Sequence, residues 1–158
     1  MKLQLKTLED TDRLAKIFAK QIADSGAFVC LYGEIGAGKT TFTKSVAKYL
    51  NIKETVTSPS FVILNEYHSG ILPVYHFDLY RLESEGVKTI AAELEEYSYG
   101  KVLTLIEWAQ FSNVELPQQR MEINITYGDD TERTFEFKSI SDKYVEKIKA
   151  IENEYINN

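Results

Sequence analysis

Ala27-Phe28-Val29-Cys30-Leu31-Tyr32-Gly33-Glu34-Ile35-Gly36-Ala37-Gly38-Lys39-Thr40-Thr41 decides the fold. Its first six residues are a continuous apolar run, the pattern of a strand buried on both faces of a parallel sheet. Gly33 to Thr40 then matches G-x-x-x-x-G-K-[ST] at every fixed position. Glycines let the backbone curl until successive N–H groups converge on one anion. A helix from about Lys39 to Leu50 follows, and its N-terminus adds a partial positive charge. In such a loop Lys39 is expected to reach the β- and γ-phosphates of a nucleotide and the Thr40 hydroxyl to ligate Mg²⁺. Thr41 is placed to touch the α-phosphate. Glu34, Ile35 and Ala37 complete the backbone cradle. A glycine-rich turn that binds nothing is the plain alternative, and the strand-loop-helix context argues against it.

A phosphate loop of this kind needs a carboxylate at the end of a nearby strand to hold the metal. Two strand-like runs offer one. Val102-Leu103-Thr104-Leu105-Ile106 ends at Glu107, and Val74-Tyr75-His76-Phe77 ends at Asp78. Glu107 is assigned to the metal, directly or through water. Asp78 is assigned to the catalytic water or the outer surroundings of the metal. Either residue could instead be an ordinary strand-end acid, paired for example with Arg81. Thr57-Ser58-Pro59-Ser60-Phe61 lies where many such proteins carry a segment that senses the γ-phosphate, although a hydroxyl-rich loop with one proline is more often a plain turn.

The remaining pattern fills in around these strands. Lys2 to Leu5 alternates as a strand, and Thr7 caps a helix carrying Leu14, Ile17, Phe18 and Ile22, closed by Ser25-Gly26. Phe61–Tyr67 and Leu72–Asp78 read as strands joined by a turn at His68-Ser69-Gly70. Leu82 to Tyr97 reads as helical. Met121–Tyr127 and Arg133–Phe137 form a hairpin around Gly128-Asp129-Asp130. A terminal helix begins at Ser141. The expected architecture is one α/β domain over 1–158, a three-layer P-loop NTPase-like sandwich with a mixed central sheet.

Composition narrows the function classes. The chain has 158 residues and a net charge of −6, with four arginines. Affinity for nucleic acid rests largely on cationic neutralisation of phosphate, so this is a poor stand-alone DNA or RNA binder. Lys39, Lys44, Lys48 and Lys53 fall near one helix, but Lys39 is already committed to the loop. No apolar run approaches a membrane span and none resembles a secretory leader, so no membrane partner and a cytoplasmic location are expected. The single cysteine, Cys30, sits in the apolar run and reads as a small core residue. Neither His68 nor His76 has a Cys or His at metal-ligand spacing.

Several motifs together resemble the TsaE (YjeE-type) family of small ATPases. They are the loop with Thr41-Phe42, Ser58-Pro59-Ser60-Phe61, His76-Phe77-Asp78-Leu79-Tyr80-Arg81-Leu82, Ile106-Glu107-Trp108 and Leu116-Pro117. Order, spacing and length agree over nearly the whole chain. The resemblance implies ATP and Mg²⁺ as cofactors and weak ATPase activity by the chain alone. It also implies a role in tRNA threonylcarbamoyladenosine biosynthesis. There the partners are the threonylcarbamoyltransferase subunit, which modifies adenosine 37 of ANN-decoding tRNAs, and its paralogous dimer partner. Contact with tRNA is then indirect, through that complex. Carried over by position, Lys39, Thr40 and Glu107 are nucleotide and metal residues and Asp78 is catalytic. Ser58 and Ser60 belong to a switch-type loop, and Trp108 is a site or interface residue. Family members often carry an acid shortly after the E-W pair; here Gln110 follows Trp108-Ala109.

Two other readings compete. A small P-loop kinase needs lid arginines to hold the transferred phosphate, and Leu82 to Gly100 has none. A nucleotide-gated binding module, with hydrolysis serving only as a reset, fits the same residues. Guanine-recognition motifs of the N-K-x-D type are missing from the sequence.

Overall fold

The structure is a computed structural model, and it describes residues 1–59, 63–80, 91–97, 99–111 and 116–158. In chain order the strands are β1 (Lys2–Leu5), β2 (Ala27–Tyr32), β3 (Leu64–Tyr67), β4 (Val74–Asp78), β5 (Leu103–Glu107), β6 (Met121–Tyr127) and β7 (Arg133–Ser139). The helices are α1 (Leu8–Ile22), α2 (Lys39–Tyr49), α3 (Ala91–Glu96) and α4 (Val145–Asn157). The strands form one mixed sheet in the order β1-β7-β6-β2-β5-β4-β3. The central strands β6, β2, β5 and β4 are mutually parallel, while β7 pairs antiparallel with both β6 and β1, and β3 pairs antiparallel with β4.

The period-two alternation of the buried strands divides the core. Val29, Leu31, Leu103 and Leu105 face α1, α2 and α4. Phe28, Cys30, Phe77 and Ile106 face the opposite way, onto Leu94 of α3 and Ala109. Over β6 and β7 this second face presents Glu122, Asn124, Glu136 and Lys138. The third layer, among the described residues, thus covers the half of the sheet that carries β4 and β5. Of the helix expected over Leu82–Tyr97, Ala91–Glu96 is helical, and residues 81–90, Arg81 included, lie outside the described part.

Local chemistry sets the helix starts. Thr7 Oγ1 accepts from the Asp10 amide and Asp10 Oδ2 accepts from the Thr7 amide, both at 3.1 Å. This reciprocal cap satisfies two otherwise orphaned donors and contributes about 1 kcal/mol. Phe18 of α1 is fully buried and lies 5.6 Å from Phe42 of α2 and 6.3 Å from Phe137 of β7. Phe42 in turn meets Phe135 at 5.3 Å. This cluster of tilted aromatic rings fixes α2 on the sheet, and with it the start of α2, where the glycine loop ends.

Candidate functional site

Strand register builds the site. In the parallel pair β4/β5, Asp78 stands opposite Glu107. On the other side of β5, Leu31 stands opposite Glu107, just ahead of Gly33. Three strand ends are therefore flush, and the two carboxylates emerge at the same carboxyl edge as the glycine loop, where open α/β sheets place their ligands. Opposed residues share a face, as do residues two apart. His76, Asp78 and Glu107 thus project toward the face that α2 covers.

A cavity of about 450 Å³ opens there. Ile35, Gly36, Gly38, Lys39, Thr40 and Thr41 line one side of it, and Asp78, Glu107, Ser58, Tyr80 and Trp108 line the other. Ala37 is buried behind the loop, and Gly33 and Glu34 line an adjoining hollow on the far side of Trp108. Ser60 lies outside the described residues. Every other sequence-predicted site residue is therefore at this cleft or in the loop that borders it.

The loop geometry follows from its residue types. Gly38, at φ 112°, caps α2 without any side-chain acceptor, so no side chain takes the first amides of the helix. Gly36, at φ 79°, occupies the left-handed region, and a Cβ there would sit 2.9 Å from the Tyr127 hydroxyl. That hydroxyl donates to the Ile35 carbonyl. Arg133 Nε donates to the Ala37 carbonyl at 3.0 Å, and its guanidinium carbon lies over the Tyr127 ring, 5.0 Å from the centroid. The β6–β7 hairpin thereby grips the loop from outside.

Lys39 is 6% exposed. Its Nζ donates to the carbonyls of Gly33 and Glu34 and lies 4.5 Å from the Trp108 ring centroid. Burial lowers its pKa, and the carboxylates of Glu107 and Asp78 pull it back up. Asp78 Oδ1 accepts from the Tyr80 amide at 3.0 Å, and Ser58 Oγ donates to Oδ2 at 3.3 Å. Glu107 Oε2 lies 2.7 Å from His76 Nε2, with both side chains almost wholly buried. Trp108 itself has φ 58°, an uncommon conformation for an aromatic residue, and this bends the chain away directly after Glu107. Its indole stacks on Phe111 and meets Tyr80 at 5.1 Å.

The donor set suits one kind of ligand. Amides, a lysine and a helix N-terminus oppose a hydroxyl and two buried carboxylates across one cleft. Phosphate on the first side and a divalent cation between the two would satisfy both. Mg²⁺ is commonly held by one or two protein oxygens together with phosphates and water, and Thr40 with Glu107 fits that demand. Among the described residues no cluster of three or more His, Cys, Asp or Glu could cage a metal by itself.

Residues 5–135 match the family model described as threonylcarbamoyl adenosine biosynthesis protein TsaE. The chain belongs to the TsaE family. It is 42% identical to the tRNA threonylcarbamoyladenosine biosynthesis protein TsaE of Bacillus subtilis over 136 residues, 86% of this chain and 84% of that one. The protein of the same description from a Nostoc species is 34% identical over 137 residues, covering 85% and 83% of the two chains. Among solved structures, the crystal structure of YdiB from Bacillus subtilis superposes with a TM-score of 0.80 at 34% identity, over 100% of this chain and 96% of that chain. The α/β fold with its mixed sheet is thus a P-loop NTPase-like fold of the TsaE family.

Tyr80, His76, Tyr127 and Arg133 are the site neighbours that the sequence did not assign. His76 had a readable signal, because in His76-Phe77-Asp78 a period of two puts the histidine and the acid on one face. Tyr127 and Arg133 had none, since their loop contacts span 92 and 96 residues of chain.

Proposed function

We propose that this TsaE-family chain binds and hydrolyses ATP with Mg²⁺, in support of threonylcarbamoyl modification of adenosine 37 in ANN-decoding tRNAs. The observation that carries the chemical half is the flush placement of Asp78 and Glu107 opposite Lys39 and Thr40 across one cavity. Family membership carries the tRNA half. The loop amides and Lys39 hold the β- and γ-phosphates, and Thr40 with Glu107 holds the cation. Bound there, Mg²⁺ would supply positive charge to offset that of the phosphates. Asp78, held by Ser58 and the Tyr80 amide, orients the attacking water.

The partners in this reading are the threonylcarbamoyltransferase subunit and its paralogue, with tRNA reached through them. A cytoplasmic site of action fits that role, and no described helix is long and apolar enough to cross a membrane. Ser58 ties its loop to Asp78 on the carboxylate side of the cleft, which favours a gating component, because loss of the γ-phosphate would be felt in the loop. The test is a pull-down with ATP, ADP or a non-hydrolysable ATP analogue, followed by identification of the retained proteins. Retention of transferase subunits with ATP and the analogue, with repeated tRNA modification on ATP alone, is the expected result. Retention that ignores the nucleotide would overturn the gating, and recovery of no transferase subunit would overturn the pathway.

A further inference from the structure

We infer that His76 is a positioning residue that aims the Glu107 carboxylate at the nucleotide's cation. This inference rests on the Mg²⁺-dependent ATPase reading above. His76 sits opposite Leu105 in the β4/β5 register, so Glu107 lies one step forward on the same face. Its ring crosses that diagonal, and Nε2 meets Glu107 Oε2 at 2.7 Å. His76 is 0% exposed and does not line the cavity, whereas Glu107 does. One carboxylate oxygen is thus tied down from behind, and Oε1 has no hydrogen bond to any described residue. A glutamate side chain has three rotatable bonds, and fixing one oxygen removes most of that freedom before any ligand arrives.

Packing alone does not account for the pair. Replacing a buried hydrogen-bonded polar or ionic pair by apolar groups of similar volume is often neutral or stabilising. The neighbours at this level, Leu31, Leu105 and Val74, are apolar and closely packed. His76 Nδ1 is moreover buried with no partner among the described residues, and an unmet buried polar atom is a cost. A strand interior selected for stability alone would carry leucine at position 76. Hydrogen-bonded partners behind a ligating carboxylate orient it, and their loss typically weakens metal binding about 10- to 100-fold.

The test measures Mn²⁺ affinity of the full chain by electron paramagnetic resonance, with a saturating non-hydrolysable ATP analogue. Metal-free affinity for the analogue and the melting temperature are read in parallel. Glu107→Gln is the reference and is expected to weaken Mn²⁺ binding. His76→Leu should weaken it by about 10- to 100-fold while metal-free nucleotide affinity stays within about twofold. His76→Gln, whose amide N–H reaches nearly as far as Nε2, should recover most of the loss. If His76→Leu does not fold, His76→Gln against the shorter His76→Asn decides, with only Gln expected to retain the metal. Unchanged Mn²⁺ affinity in His76→Leu, or equal losses in the Gln variant and its comparator, would overturn the inference while the metal role of Glu107 stands. Unchanged affinity in Glu107→Gln would overturn both.

Discussion

Lys39 Nζ lies 4.5 Å from the centre of the Trp108 indole, so the loop's cation rests against the residue that directly follows Glu107. The same ammonium donates to the carbonyls of Gly33 and Glu34. Phosphate bound in the loop would draw it toward the incoming charge. Trp108 is the only tryptophan, so its emission should shift on addition of MgATP. Lys39→Ala should change the emission of the free chain and abolish the response. An emission spectrum that ignores both nucleotide and transferase partners would remove Trp108 from the site.

Lys39→Ala should also weaken ATP binding by at least tenfold. A hydrogen bond to a charged group is worth about 1.5–3 kcal/mol, and more than one phosphate oxygen loses its partner. Titration calorimetry measures this directly. Unchanged affinity would refute the phosphate-loop assignment.

Glu107→Ala separates metal from nucleotide. ATPase activity should require far more Mg²⁺, while metal-free nucleotide affinity should change less. A variant that loses nucleotide and metal affinity in equal measure would make Glu107 a structural residue of the cleft.

The hairpin grip on the loop predicts coupling between distant positions. Tyr127→Phe removes one hydrogen bond to Ile35 and should lower nucleotide affinity by about 0.5–1.5 kcal/mol. Gly36→Ala should cost more, because its Cβ meets the Tyr127 hydroxyl at 2.9 Å in a left-handed backbone. In the Tyr127→Phe background the Gly36→Ala penalty should shrink, a non-additivity readable as a double-mutant cycle. Strict additivity would show that the hydroxyl does not press on the loop.

Alkaline pH should probe the sheet's second face. Burial pushes the Cys30 thiol from 9.0 up to about 12, and it also raises the neighbouring Tyr32. The native state then keeps a proton that the unfolded chain releases. That contribution to stability is whole below pH 9 and is lost as pH rises toward 12, at up to about 1.4 kcal/mol per pH unit. Denaturant melts at pH 8 and 10 should show a shallower loss in Cys30→Ala. Native Cys30 should also resist alkylation. Equal slopes, or a thiol that reacts in the native chain, would contradict the burial.

Much of this was legible in the sequence because it is local. The apolar run from Ala27 to Tyr32, the glycine spacing through Gly38 and the acids closing two strand-like runs each follow from a few neighbouring residues. The β6–β7 hairpin was equally readable from its Gly128-Asp129-Asp130 turn. Pairing between strands was not, since nothing within Val74–Asp78 states which residue of β5 it will face. That is why the opposition of Asp78 to Glu107 could be expected only as a shared edge, and why the His76 contact was missed. The Arg133 grip on Ala37 needs the hairpin folded back over the loop, a tertiary fact with no local trace.

The one-to-one register of β4 against β5 has a consequence for how the cleft can vary. Side chains alternate between the two faces of a sheet, so the cleft has a parity. Deleting one residue within Val74–Asp78 or Leu103–Glu107 would turn the acid ahead of it from α2 to the opposite face, and restoring it takes a second, matching deletion. Residue identity here can drift by degrees, but strand length can change only in steps of two, which pushes tolerated insertions into the connecting loops.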